Sequence, residues 1–152
     1  MRTLARDRDR ADVLQRVRTV RPDSVRRWGR MSAPQMICHL TDAFRMLVDR
    51  KPVSLASGLP QRTAFKWVAL YAPMPWPAGI LTRPEIDQEL GGTQPGEFAA
   101  DVAKLEAIVA RVVAAMGSLD GRLHPIFGPM SERAWLRWGY LHMDHHLRQF
   151  GR

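Results

Sequence analysis

The clearest pattern in the sequence lies between residues 98 and 116, where apolar side chains recur at alternating steps of three and four residues. Residues three and four apart share one face of an α-helix, so this run predicts a helix with a continuous apolar stripe. Such a stripe is typical of a helix that packs in a bundle. Its members are Phe98, Val102, Leu105, Val109, Val112 and Met116.

Three further segments carry helical signals. The first runs from about Asp7 to Val20. The second opens at Ser32, where a glutamine three residues later completes a capping-box motif. The last opens at Ser131 and includes the stretch from Trp135 onward. Because no segment alternates convincingly like a strand, the sequence predicts an all-α fold, a four-helix bundle formed by one domain over residues 1–152.

About 45 residues connect the second and third of these helices, and a connection of that length is expected to contain structure. Residues Arg62–Tyr71 resemble a short helix, and the extended, proline-rich segment Ala72–Gly79 follows. The longest uncharged stretch, Trp67–Thr82, includes the end of this helix and the whole of that segment. The sequence therefore predicts a long, partly helical crossover. The uncharged stretch has sixteen residues and three prolines, whereas a spanning helix needs about twenty apolar residues, so no membrane segment is expected.

Composition and charge narrow the functional classes. The single cysteine, Cys38, excludes an intramolecular disulfide, and the first twenty residues lack a signal-peptide pattern, which together indicate a cytoplasmic protein. The formal net charge is +8, but ten Arg and four Asp within residues 1–30 supply +6 of it. We interpret this region as a solvated basic face, with anion binding as the alternative. Nucleic-acid binding is disfavoured because the aromatic residues do not interleave with the arginines.

Histidine spacing near the C-terminus predicts a metal site. His142 and His146 lie one helical turn apart on one face, with Cβ atoms about 6 Å apart. His39 lies on the apolar side of the second predicted helix. Three neutral imidazoles with an open position for water form the ligand set of a catalytic divalent-metal site. Imidazole suits several ions, so Zn, Ni, Fe and Mn are not distinguished. The alternative is that these histidines are hydrogen-bonded core residues.

Other polar residues near these histidines have several interpretations. We interpret His145 as a surface residue or as a neighbour of the ligands, and Cys38 as a small buried thiol. Asp42 and Asp144 are interpreted as exposed helix charges, although either carboxylate would suit as an acceptor for a ligand imidazole. No residue stands out as a general base; Asp42 and His145 are the candidates. Candidates for holding an anionic group are Arg30, Arg45 and Arg148.

Two segments resemble a known family. The stretch His142–Gln149 (H-M-D-H-H-L-R-Q) resembles the terminal H-x-x-H-H-x-x-Q motif of DinB-like (YfiT-like) metalloenzymes, and Trp28–Leu40 resembles the entry to the first ligand helix of that family. Residues His124–Trp135 resemble an uncharacterised subfamily with a domain-of-unknown-function label. The resemblance covers about residues 10–151. It implies a four-helix bundle, often a homodimer, with one divalent metal on His39, His142 and His146.

The resemblance also implies a class of chemistry, because characterised relatives include transferases and isomerases that depend on a low-molecular-weight thiol. The sequence thus predicts a divalent-metal-binding protein acting on a small-molecule substrate, as a thiol-dependent transferase or a hydrolase. A low-molecular-weight thiol is the second expected cofactor. The alternative is a bundle that binds a metal or a small ligand without catalysis, since no acid–base pair can be identified.

Overall fold

The computed structural model describes residues 1–49, 51–56, 64–80 and 82–152. The described chain is mainly helical, which confirms the all-α class. A 3-10 turn at Pro84–Ile86 and a minimal antiparallel hairpin, β1 (Leu123–His124) and β2 (Gly128–Pro129), accompany the helices. The helices are α1 (Asp7–Arg18), α2 (Ala33–Val48), α3 (Ala64–Tyr71), α4 (Phe98–Ala114) and α5 (Glu132–Gln149).

Capping hydrogen bonds confirm two of the predicted helix starts, those of α2 and α5. At the start of α2, the Ser32 hydroxyl accepts from the Gln35 backbone N–H at 3.3 Å, and the Gln35 side chain accepts from the Ser32 N–H at 2.8 Å. The Ser131 hydroxyl accepts from the Ala134 N–H at 3.3 Å at the start of α5. These contacts satisfy backbone donors that have no partner inside their helix.

Two helices end earlier than predicted. The first helix stops at Arg18, so the buried Val20 packs from a turn beyond it. α4 stops at Ala114, and Met116, assigned to its apolar stripe, is 43% exposed. Of the predicted crossover helix, the structure describes Ala64–Tyr71, while residues 62 and 63 lie outside the described ranges.

The core lies where the helices meet. α2 packs against α4, α1 packs against α5, and α2 and α3 also contact α5. α5 is the most enclosed helix, since most of its apolar and aromatic side chains and all three of its histidines are buried. None of the helices within the described ranges is long and apolar enough to cross a bilayer.

Candidate metal centre

Three imidazoles converge between α2 and α5. His39 projects from α2, and His142 and His146 project from successive turns of α5. The Nε2 atom of His142 lies 3.1 Å from that of His39 and 3.2 Å from that of His146. All three side chains are buried, with at most 8% of their surface exposed. The structure therefore brings together the three histidines predicted from their helical spacing, as a group that could hold a metal ion.

Two of the rings are oriented through their other nitrogen. Nδ1–H of His39 donates to the Ile86 carbonyl at 2.7 Å, and Nδ1–H of His146 donates to Oε1 of Gln149 at 3.0 Å. The Gln149 amide is itself held, because its Nε2 donates to the Trp28 carbonyl at 2.8 Å. A proton on Nδ1 leaves a lone pair on Nε2, so both rings present an acceptor to the centre of the cluster.

The donor set fits a cation better than it fits a hydrogen-bond network. His142 can place at most one proton on Nε2, yet that atom faces the lone pairs of both His39 and His146. At least one close nitrogen pair is then left without a proton between its members. A divalent ion would satisfy all three lone pairs. Metal–nitrogen bonds of 2.0–2.1 Å in tetrahedral geometry require nitrogen separations of about 3.3 Å. The two separations from His142 are close to this value, and the pair His39–His146 lies within 4.8 Å.

The electrostatic environment keeps these rings neutral. Burial lowers the pKa of His39, partly opposed by the hydrogen bond to Ile86. Burial also lowers the pKa of His142 and His146 well below the usual value, and the neighbouring imidazoles lower both further. Neutral imidazole is the form that binds metals, so the cluster is ready to act as a ligand set near neutral pH.

The cluster opens into a cavity of about 640 Å³. Its walls are mainly apolar and come from α3, the proline-rich segment, the hairpin and the loop before α2. Within residues 67–79, Val68, Pro75 and Trp76 line it, whereas Trp67 does not and is 62% exposed. The volume is in the range of small-molecule sites.

His145 is not a surface residue, so that part of its interpretation was wrong. Only 7% of the residue's surface is exposed, and it lines the cavity. Its ring lies 5.1 Å from the ring of His146 and 6.0 Å from each of the rings of Trp28 and Trp76. Burial lowers its pKa, the charge of Arg148 adds to this, and a backbone hydrogen bond with Trp76 opposes it. The loop aromatics that cover His145 are remote in sequence, which explains the error.

Asp42 is not an exposed helix charge either, and that interpretation was wrong. It is fully buried, accepts hydrogen bonds from the Thr93 backbone N–H at 2.7 Å and hydroxyl at 2.8 Å, and pairs with Lys51 at 2.7 Å. The long crossover therefore covers this side of α2. Asp42 does not accept from His39, whose Nδ1 is taken by Ile86.

The remaining candidates lie away from the ring nitrogens. Asp144, half-buried, pairs with Arg16 at 2.8 Å and Arg148 at 3.0 Å, which places it on the α1–α5 contact. Arg45 pairs with Asp42 and Asp49, and neither it nor Arg148 lines the cavity.

Arg30 does line the cavity, where it pairs with the buried Asp87 and with Glu89. Cys38 is a buried free thiol, as predicted. Burial raises its pKa to about 11, with Asp101 adding to the effect.

Two site residues were missed from the sequence. The Ile86 carbonyl that orients His39 belongs to a 3-10 turn 47 residues away, and a backbone acceptor has no side-chain signature. His124 had no predicted role in the site, yet it is buried and lines the cavity. The apolar residues around His124 could have indicated a buried loop. The position of its side chain, however, depends on the hairpin, which the sequence did not predict.

A family model described as "Protein of unknown function (DUF1569)" matches residues 6–152. No curated protein and no solved structure matches the chain. The match supports the predicted domain-of-unknown-function label.

Proposed function

The chain belongs to the family of proteins of unknown function DUF1569, and from its site we propose that it is a divalent-metal-binding protein that acts on a small molecule. The observation that carries the proposal is the convergence of the Nε2 atoms of His39, His142 and His146 at the floor of the cavity. Buried neutral imidazoles that point lone pairs at one another are difficult to explain without a cation.

The cavity favours a catalytic role over a purely structural one. Structural zinc sites are closed by four protein ligands, whereas three ligands beside an open cavity leave a position for water or substrate. Bound there, a divalent ion would lower the pKa of a water or a thiol and so supply a nucleophile near neutral pH. This chemistry suits a hydrolase or a thiol-dependent transferase. The alternative, a non-catalytic binding bundle, would bind the same ion without turnover.

The chain's own residues would orient and protect the reacting groups. Ile86 and Gln149 hold the rings of His39 and His146, and the apolar walls exclude water. We propose His145 as the proton acceptor, because it lines the cavity and its Nδ1 has no hydrogen-bond partner among the described residues. Asp42 is the poorer candidate, since Thr93 and Lys51 already engage its oxygens.

We also propose that α1, α2, α4 and α5 form the bundle of DinB-like proteins. The support is the packing of α2 on α4 and of α1 on α5, together with ligands on α2 and α5 as that resemblance implies. A low-molecular-weight thiol as co-substrate and a homodimeric assembly belong to the same proposal.

The first test is metal content. The chain, expressed without a histidine tag and dialysed, should retain about one ion per chain by plasma mass spectrometry. The double variant His142→Ala, His146→Ala and the single variant His39→Ala should retain none. Unchanged metal in these variants, or an empty wild type after exposure to Zn, Ni, Fe and Mn, would contradict the proposal.

His145→Ala is the matched control, since it removes a buried imidazole from the same helix without removing a proposed ligand. It should keep its metal and lose turnover in thiol-transfer and ester-hydrolysis screens. Stoichiometric metal in the wild type without turnover in any screen would favour the non-catalytic alternative.

A further inference from the structure

His124 is held in one tautomer by the hairpin between β1 and β2. Its Nδ1 accepts hydrogen bonds from the backbone N–H groups of Ile126 at 3.1 Å and Phe127 at 3.2 Å. A ring nitrogen that accepts from donors carries no proton, so the proton of the neutral ring is on Nε2. The turn therefore converts His124 into a hydrogen-bond donor with a defined direction.

The ring is also kept neutral by its surroundings. It is 4% exposed, stacks on Phe127 with centroids 4.7 Å apart, and packs against Trp135 and Trp138. Burial lowers its pKa to about 3, with the charge of Lys66 adding to this. His124 thus stays an uncharged donor at any pH at which the protein is expected to work.

The other nitrogen of this ring is available for a ligand. Within the described ranges, Nε2 of His124 has no hydrogen-bond partner, and the ring lines the same cavity as the histidine cluster. Trp138 separates the two, with its ring 5.0 Å from His124 and 4.8 Å from His142. The Nε2–H donor of His124 therefore lies on the aromatic side of the cavity, separated from the proposed metal site by the ring of Trp138.

Besides His124, two cationic side chains line the cavity. Arg30 is matched by Asp87, and Arg83 donates to the Ser54 hydroxyl while its Nε has no partner within the described ranges. Phe65, Ile126 and Trp76 form apolar parts of the wall. A polar group placed among them without a partner would be costly, whereas an acceptor opposite Nε2–H of His124 would be satisfied.

We propose that His124 is a ligand-binding residue whose Nε2–H binds an acceptor oxygen, and that the cavity takes uncharged molecules with an aromatic or aliphatic body and a carbonyl-type oxygen. This deepens the proposed function, on which it rests for the placement of the reacting group at the metal. The ligand would span from that group, across the face of Trp138, to the carbonyl at His124.

The test uses two probes of the same shape that lack a metal-binding group, 4-acetylbiphenyl and 4-isopropenylbiphenyl. The first carries a C=O group that can accept a hydrogen bond, and the second carries a C=CH2 group that cannot. Binding to the full chain is measured by NMR titration, once with the protein free of metal and once loaded with Zn, so a failure of metal binding is seen separately. We expect the ketone to bind about fivefold more tightly than the alkene, the value of one net hydrogen bond.

The informative variant is His124→Asn. The asparagine oxygen takes the position of Nδ1 and keeps the acceptor for the turn, but nothing replaces Nε2–H. This variant should bind both probes with the affinity of the wild type for the alkene. His124→Gln, which keeps a donor but loses the turn acceptor, should retain part of the preference for the ketone. In the wild type, the imidazole proton of His124 should shift with the ketone and stay fixed with the alkene.

Three results would overturn the proposal. The first is an equal affinity of the wild type for ketone and alkene, and the second is a ketone preference that survives in His124→Asn. The third is stronger binding of biphenyl-4-carboxylate than of the ketone, unaffected by His124→Asn, which would assign the polar anchor to Arg83. If His124→Asn does not fold, the imidazole proton shift in the wild type decides.

Discussion

At the level of single residues, the amide of Gln149 decides how well the proposed site is organised. It accepts from His146 and donates to the Trp28 carbonyl, so one side chain joins α5, a ligand ring and the loop before α2. Groups that orient metal-bound imidazoles commonly contribute one to two orders of magnitude to metal affinity.

We therefore expect Gln149→Leu to weaken Zn binding by about 10- to 100-fold, measured by competition with a chromophoric chelator. Leucine fills similar space but cannot accept a hydrogen bond from His146. Gln15→Leu, on the exposed side of α1, is the matched control and should leave the affinity unchanged. Equal affinities in wild type and Gln149→Leu would show that packing alone orients His146.

The sequence predicted the cluster of three histidines because its geometry is local. His142 and His146 share a face by helical spacing alone, and His39 follows from the apolar side of its helix. The burial of Asp42 and His145 and the carbonyl of Ile86 were missed, since each depends on which part of the crossover or of the loop before α2 covers a helix. Contacts of this kind are decided by tertiary packing and leave no periodic pattern.

At the level of elements, the position of α5 depends on a glycine within the helix. A Cβ built at Gly139 would lie 2.7 Å from Leu4 and 3.0 Å from Phe44, both fully buried. Glycine within a helix costs about 1 kcal/mol relative to alanine, so it is retained here for the close approach of the N-terminal segment and α2. The helix itself was predictable; this reason for its glycine was not.

Gly139→Ala should lower the free energy of unfolding by about 1–2 kcal/mol, because overpacking outweighs the gain in helix propensity. Urea denaturation measures this. Leu4→Ala should be less destabilising in the Gly139→Ala background than in the wild type, since it removes one of the clashing groups. Strict additivity of the two changes would argue against the contact.

At the level of the whole molecule, the buried histidines should make the metal-free protein sensitive to acid. The pKa values of His39, His124, His142, His145 and His146 are all lowered by burial. Between the folded and unfolded pKa values, the unfolded chain therefore binds more protons on these histidines than the folded chain does. For His124 the stability is fully present above its ordinary value of 6.5 and is lost as the pH falls toward about 3.

We expect the unfolding free energy of the metal-free protein to fall below about pH 6.5, each such histidine contributing at most about 1.4 kcal/mol per pH unit. Urea denaturation between about pH 4 and 7 measures the slope. His124→Asn should reduce the slope by about one histidine's contribution, whatever its stability at neutral pH. An unchanged slope would mean that His124 takes up its proton without unfolding.

The proposed ligands are widely separated along the chain, since His39 and His142 lie 103 positions apart. An ion shared by them would act as a cross-link that closes a loop containing most of the protein. Loops of about this length carry a closure entropy of roughly 4–5 kcal/mol in the unfolded chain, as estimated for disulfides. The ion would also span any break in the long connection from α2 to α4. If the chain were cleaved there, the bound ion would still link the fragment that contains His39 to the fragment that contains His142 and His146.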